Sequence, residues 1–272
     1  MKKTLLAALA VTALAAVAGA QITSGMDAIA QKNQIGTSTP VSCQSTFTSG
    51  TYGPSFMKFC TSQNGNVALF QTPDTSFNQL YQGGEGYGIC DQTNNGNVRY
   101  YDWGSYGNSG WQQATLTQPK GPNTFPLTIT RMSSDGVFTL KQDFSRNTQT
   151  PAVKVKMTLT NNSGVTRSVV LERLADIDAD NETTKNRFDN DIYSAWGYSG
   201  TADYAGLHGL MMRVTSEKGA AYASIVPAGT VDPCNMPPQH TLFVGDGAAV
   251  FTWVYTAAPQ SSTTMNFEYR AF

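Results

Sequence analysis

The sequence predicts an all-β fold: a large antiparallel β-sandwich, with room for additional strands wrapping the first sheet. Three observations carry that expectation. Short runs of β-branched and aromatic residues recur from Val41 to the C-terminus, separated by Gly, Asn, Pro and Ser. The later runs alternate apolar and polar residues with a period of two. No extended window shows a helical period.

The 272-residue chain opens on an export leader. Lys2 and Lys3 are followed by an apolar stretch over 5–17, and Ala18-Gly19-Ala20 supplies small residues at a cleavage site. That stretch is too short to span a bilayer, and polar Gln21 follows at once. Residue 21 is not Cys, so the lipoprotein form of the leader is absent. The expected organisation is a signal peptide over 1–20, a polar flexible arm over 21–40 and a single β-sandwich domain over 41–272. The expected location is secreted or periplasmic.

Strand signals then come in order at 56–59, 67–70, 98–103 and 125–129. The clearest alternation sets Val153, Val155, Met157 and Leu159 on one face and Lys154, Lys156 and Thr158 on the other. Asn161-Asn162-Ser163-Gly164 reads as a turn, and 165–174 as the returning strand. Phe251, Trp253 and Tyr255 alternate with Val250, Thr252 and Val254, which predicts a strand covered on both sides. Met265, Phe267 and Tyr269 alternate with Asn266, Glu268 and Arg270. An outer-membrane barrel would place apolar residues in steps of two back from Phe272. Arg270, Glu268, Asn266 and Thr264 stand there instead. No internal repeat points to a propeller or solenoid.

Charge excludes some partners. The chain carries 18 Lys+Arg against 19 Asp+Glu, and loses Lys2 and Lys3 with the leader. Nothing draws it toward nucleic acid or an anionic membrane, and no later segment is apolar enough to cross a bilayer as a helix. The four cysteines, Cys43, Cys60, Cys90 and Cys234, suit disulfides in an exported chain and lack metal-ligand spacing. Of their three pairings, Cys43–Cys60 as a local staple and Cys90–Cys234 as a long-range one are favoured.

Two patterns could carry chemistry. Asp176, Asp178 and Asp180 stand at alternate positions, with Asp189 and Asp191 close behind. Curled around one centre, they would supply the oxygen ligands that calcium wants. The run begins like an EF-hand loop and then departs from it. Asn181 stands where the turn needs Gly, and Arg187 where the bidentate Glu belongs. A solvated acidic turn is the competing reading. The second pattern is aromatic: Tyr100, Tyr101, Trp103, Tyr106 and Trp111 lie among glycines, and Tyr193, Trp196, Tyr198 and Tyr204 follow the acidic run. Flat rings with polar edges suit the apolar faces of sugars. Tyr101, Trp103, Trp111, Trp196 and Tyr198 are the candidate platform, and ordinary core-edge packing competes.

Catalytic motifs are sparse. There is no GxSxG, HExxH or P-loop. The two histidines, His208 and His240, cannot make a His-rich metal site. Asp102, Glu172, Asp189 and Asp191 are candidate carboxylates for glycosidase chemistry, which needs only two. Asn161 and Asn181 open N-glycosylation patterns that a bacterial-type leader makes irrelevant. Three functional classes follow: a non-catalytic secreted module binding glycan or cell-surface material with a structural calcium; a glycan-active hydrolase or lyase; and a structural surface or matrix protein.

Overall fold

The computed structural model describes residues 41–93, 96–147, 151–199, 208–215, 221–229, 231–238 and 243–272. The leader, the N-terminal arm, Tyr204 and His240 lie outside the described residues. Every described strand falls within one compact unit, Gly36–Phe272.

The fold is all-β, with antiparallel sheets forming a sandwich. One sheet has six strands in the order β15 (Ala221–Pro227), β17 (Gly247–Ala257), β11 (Arg167–Asp176), β4 (Glu85–Asp91), β5 (Val98–Asp102) and β6 (Asn108–Ser109). The other has nine: β16 (Phe243–Gly245), β12 (Asn186–Asn190), β13 (Ser194–Tyr198), β14 (Gly209–Val214), β18 (Ser262–Ala271), β10 (Ala152–Asn161), β9 (Phe138–Asn147), β8 (Leu127–Met132) and β7 (Thr115–Thr117). A third sheet, β1 (Ser45–Ser49), β2 (Met57–Thr61) and β3 (Val67–Gln71), supplies the additional strands. Its Phe59 packs against Phe144 of β9 and Phe125.

The main core is the sum of the inward faces. Val153, Val155, Met157 and Leu159 are buried as their alternation predicts, while Lys154 and Lys156 are exposed. Met265, Phe267 and Tyr269 join them from β18. β17 is covered on both sides. Phe251 and Trp253 enter the main core, whereas Ala248 and Val250 face a second cluster with Leu174 and Trp103.

A charged network lies inside the sandwich. Arg173 of β11 ion-pairs with Glu85 of β4. It also donates to Gln142 Oε1 at 2.5 Å and to the carbonyl of Gly65 at 3.0 Å. Arg131 of β8 meets Asp102 of β5 at 2.6 Å and the Tyr87 hydroxyl at 2.9 Å. Asn66, in the turn before β3, donates to Asp102 Oδ1 at 3.0 Å. Buried charges persist when paired and fully hydrogen-bonded, and this network meets that condition from all three sheets.

Both favoured disulfides are present, Cys43–Cys60 with Cα atoms 5.5 Å apart and Cys90–Cys234 with Cα atoms 5.0 Å apart. Among the described residues no helix is long and apolar enough to cross a membrane.

Candidate functional site

The acidic site is assembled where β11 and β17 part. The last rung of that ladder pairs Asp176 with Ala248. Continuing the same register brings Asp178 opposite Asp246, and the Ile177 amide still donates to the Gly247 carbonyl at 3.2 Å. Ile177 is buried and anchors the segment to the core. One oxygen from each of Asp176, Asp178 and Asp246 lies within 4.8 Å of the others. A single centre therefore sits no more than about 2.8 Å from all three, close to the Ca–O range of 2.3–2.6 Å.

The surroundings do not satisfy these carboxylates. Asp176 is 2% exposed and Asp178 5%, and the Oδ1 of each is buried without a hydrogen-bond partner among the described residues. Asp246 is exposed at the rim. Tyr106 donates its hydroxyl to Asp176 Oδ2 at 2.6 Å. Burial, and then the neighbouring charges of Asp178 and Asp246, push Asp176 up to about 7. Burial, followed by the charges of Asp246 and Glu182, pushes Asp178 up to about 7 as well. An all-oxygen set of converging anions can hold a hard cation.

The turn before β4 closes one side of the site. The Tyr81 amide donates to the Asp176 carbonyl at 3.0 Å, and the Asp176 amide donates to the Gly84 carbonyl at 2.8 Å. A Cβ on Gly84 would come within 2.8 Å of both Asp176 Cβ and Tyr81 Cδ1, so only glycine lets the turn lie this close. Tyr81 stacks on Tyr106 with ring centroids 5.9 Å apart.

Three of the expected ligands point elsewhere. Asp180, held at φ 59, turns its carboxylate to His208 Nδ1 at 3.1 Å and accepts from Gln79. Asp189, within β12, accepts the Asn190 amide at 2.8 Å, and Asp191 accepts the Tyr193 amide at 2.7 Å, as a turn-forming aspartate does. The straight run of alternate acids therefore contributes two members, and Asp246 is the third. A Gly-Asp-Gly turn between strand signals was its only trace in the sequence. Tyr81 left no trace beyond an isolated tyrosine.

The candidate rings divide. Trp103 is 1% exposed beneath the outer face of the six-stranded sheet, so its ring is core, with Tyr101 stacked at 6.4 Å. Trp111 is half-buried between Tyr87 and Tyr100, with Arg131 over its ring. Trp196 and Tyr198 share the outward face of β13 because Ala195 and Gly197 face in. A Cβ on Gly197 would meet Phe188 at 2.6 Å and Ile177 at 2.9 Å. The cross-strand row through Trp196 runs Asp189, Trp196, Met211, Arg270. Arg187 stands opposite Tyr198. The result is a partly exposed pair of rings, about 6.5–7 Å apart along the strand, with charged groups on both sides. Among the other carboxylates, Glu172 is buried with one hydrogen bond, from Thr252, and burial pushes it well above the usual carboxylate range.

With the cation removed, acidification should stabilise the protein. Folded Asp176 and Asp178 titrate near 7, against about 4 in an unfolded chain. The folded state holds more protons between those values, so stability is full below about pH 4 and falls as pH rises through 7. Melts of chelator-treated protein should show a higher Tm at pH 5 than at pH 8, with a flatter profile in Asp178→Asn. A Tm rising with pH in this window would reverse the assignment.

No family model and no curated protein matches the chain. Among solved structures, a bacterial glucoamylase complexed with acarbose superposes with a TM-score of 0.60 at 10% identity, over 86% of this chain and 33% of its own. This chain thus spans about a third of the glucoamylase's length. A putative aldose 1-epimerase from Escherichia coli K12 follows at a TM-score of 0.45 and 12% identity, covering 84% of this chain and 99% of that one. A 4-alpha-glucanotransferase from Thermococcus litoralis gives 0.46 and 6%, over 83% and 37%. The glucoamylase likeness defines the class of the fold, a large antiparallel sandwich-like β-domain.

Proposed function

We propose that this chain is an exported, non-catalytic β-sandwich module that binds glycan on the Trp196–Tyr198 face and carries calcium at Asp176, Asp178 and Asp246. The observation that carries the reading is the outward pair of rings on β13, flanked by Arg187, Asp189 and Arg270. Rings cover the apolar face of a sugar while charged neighbours bond its hydroxyls. The leader and the two disulfides support export. A glucoamylase that shares the fold was crystallised with acarbose, in keeping with a carbohydrate role. The buried, unpartnered oxygens of Asp176 and Asp178 support the cation. A glycan-active hydrolase or lyase is the second reading, favoured by two aspartates that titrate near 7. Those aspartates lie in one cluster with Asp246 rather than facing each other across a groove, which favours binding.

The test has two arms. Calcium at a hundredfold excess over its Kd should stabilise chelator-treated protein by about 2.7 kcal/mol, magnesium less, and Asp178→Ala should abolish the shift. A glycan array should return hits that Trp196→Ala weakens at least tenfold with Tm unchanged. Absence of any hit, or hits indifferent to Trp196, would remove the platform. Release of shortened products from a bound glycan would establish the enzyme instead.

A further inference from the structure

The strand-end cation site has features that a purely structural site does not need. Asp176 Oδ2 already accepts from Tyr106, while its Oδ1 has no hydrogen bond among the described residues. With one converging oxygen from each of Asp176, Asp178 and Asp246 the carboxylates supply three ligands, whereas calcium takes six to eight. Asp246 is exposed, so the cluster reaches solvent at its rim. On that rim Tyr81 is 42% exposed, stacked through one face on Tyr106 at an interplanar angle of 15°. At the crowded Gly84 turn the Tyr81 ring and the Asp176 side chain both stand 2.8 Å from where a Gly84 Cβ would lie, and the Tyr81 amide donates to the Asp176 carbonyl. The cluster does not stand on its acidity alone. Its two inner Oδ1 atoms belong to residues more than nine-tenths buried and have no hydrogen-bond partner among the described residues.

We infer that a neutral sugar binds directly to the cation here, through a pair of vicinal hydroxyls that complete the coordination shell, while the Tyr81 ring covers its C–H face. The inference rests on the calcium reading above and describes a second site, apart from the β13 face. Charge selects the ligand class. Three carboxylates and one calcium leave a net charge of −1, which opposes uronates, sulfated sugars and phosphates. Hydroxyl oxygens are hard donors that calcium accepts in place of water. The exposed ring supplies an apolar wall that a water shell would not require.

The experiment uses the full exported chain. Calorimetry first measures calcium binding to chelator-treated protein. Saturation-transfer NMR then probes methyl glycosides carrying a vicinal diol in calcium, in chelator, and with the matching deoxy-glycosides. Binding should appear in calcium, disappear in chelator and fail for glycosides lacking one hydroxyl of the pair. Tyr81→Ala should weaken it at least tenfold, Tyr81→Phe should retain it, and both variants should keep wild-type calcium affinity. Calcium binding without glycoside binding overturns the inference and leaves the calcium reading standing. Glycoside binding that survives chelation also overturns it. Absence of calcium binding overturns both.

Discussion

Arg173→Met should lower the unfolding free energy by about 3–5 kcal/mol, the cost of leaving a buried charge without its partner. Arg173 and Glu85 are both wholly buried between the sheets. The guanidinium also serves Gln142, the Gly65 carbonyl and the Tyr269 hydroxyl, the last at 3.1 Å. Burial pushes Glu85 up, and the Arg173 charge is the main force holding it down. Without that charge, the carboxylate keeps only Tyr269 and the Val67 amide as partners. Glu85→Gln in the Arg173→Met background removes the orphaned charge and should recover part of the loss. Urea unfolding of the wild type, the single variant and the double variant measures all three. A single-variant loss below about 1 kcal/mol, or a double variant less stable than Arg173→Met, would contradict the account.

Removing the Cys90–Cys234 disulfide should cost a similar amount. The bond closes a separation of 144 residues, worth ~5 kcal/mol on the chain-entropy model. The separation of 17 residues closed by Cys43–Cys60 is worth about 3 kcal/mol by the same model. The long-range bond ties the segment around Asp232 and Pro233 over β4. Arg99, the cross-strand neighbour of Cys90, holds the same segment, its Nε and Nη2 donating to Asp232 at 2.7 and 2.8 Å. Pro233 then lies above Gly88, 3.1 Å from where a Cβ would stand. Denaturation of Cys90→Ala/Cys234→Ala beside Cys43→Ala/Cys60→Ala should rank the first pair as the more damaging. Equal losses would show that the Arg99–Asp232 pair keeps the segment in place unaided.

How far the sequence revealed this molecule depends on which side of each strand is crowded. β10, with water on one face, shows its alternation plainly. β17 is apolar at successive positions because both its faces are covered. β4 carries no strand signal in the sequence because Gly86 and Gly88 read as loop residues. They are glycines because a Cβ would strike the Asp102 carbonyl at 1.9 Å or the Trp103 ring at 2.6 Å. β13 misleads in the opposite sense. Its large residues face outward and its small ones inward, since Phe188 and Ile177 already fill the interior. The candidate site was half legible for a related reason. Asp176 and Asp178 are neighbours in sequence, but Asp246 reaches them only through the register of β11 against β17, which no local pattern records. Asp180, Asp189 and Asp191 look equivalent to them because composition does not show which acids are already taken by other donors.

That register gives the carboxylates a second consequence. Like charges set directly across two strands oppose pairing. Asp178 facing Asp246 therefore acts as a stop just beyond the Asp176–Ala248 rung and the Ile177–Gly247 hydrogen bond that follows it. A cation between them would turn the stop into a clasp, drawing the parted ends together and letting the ladder run further. The length of these two strands would then follow the concentration of the ion around the protein.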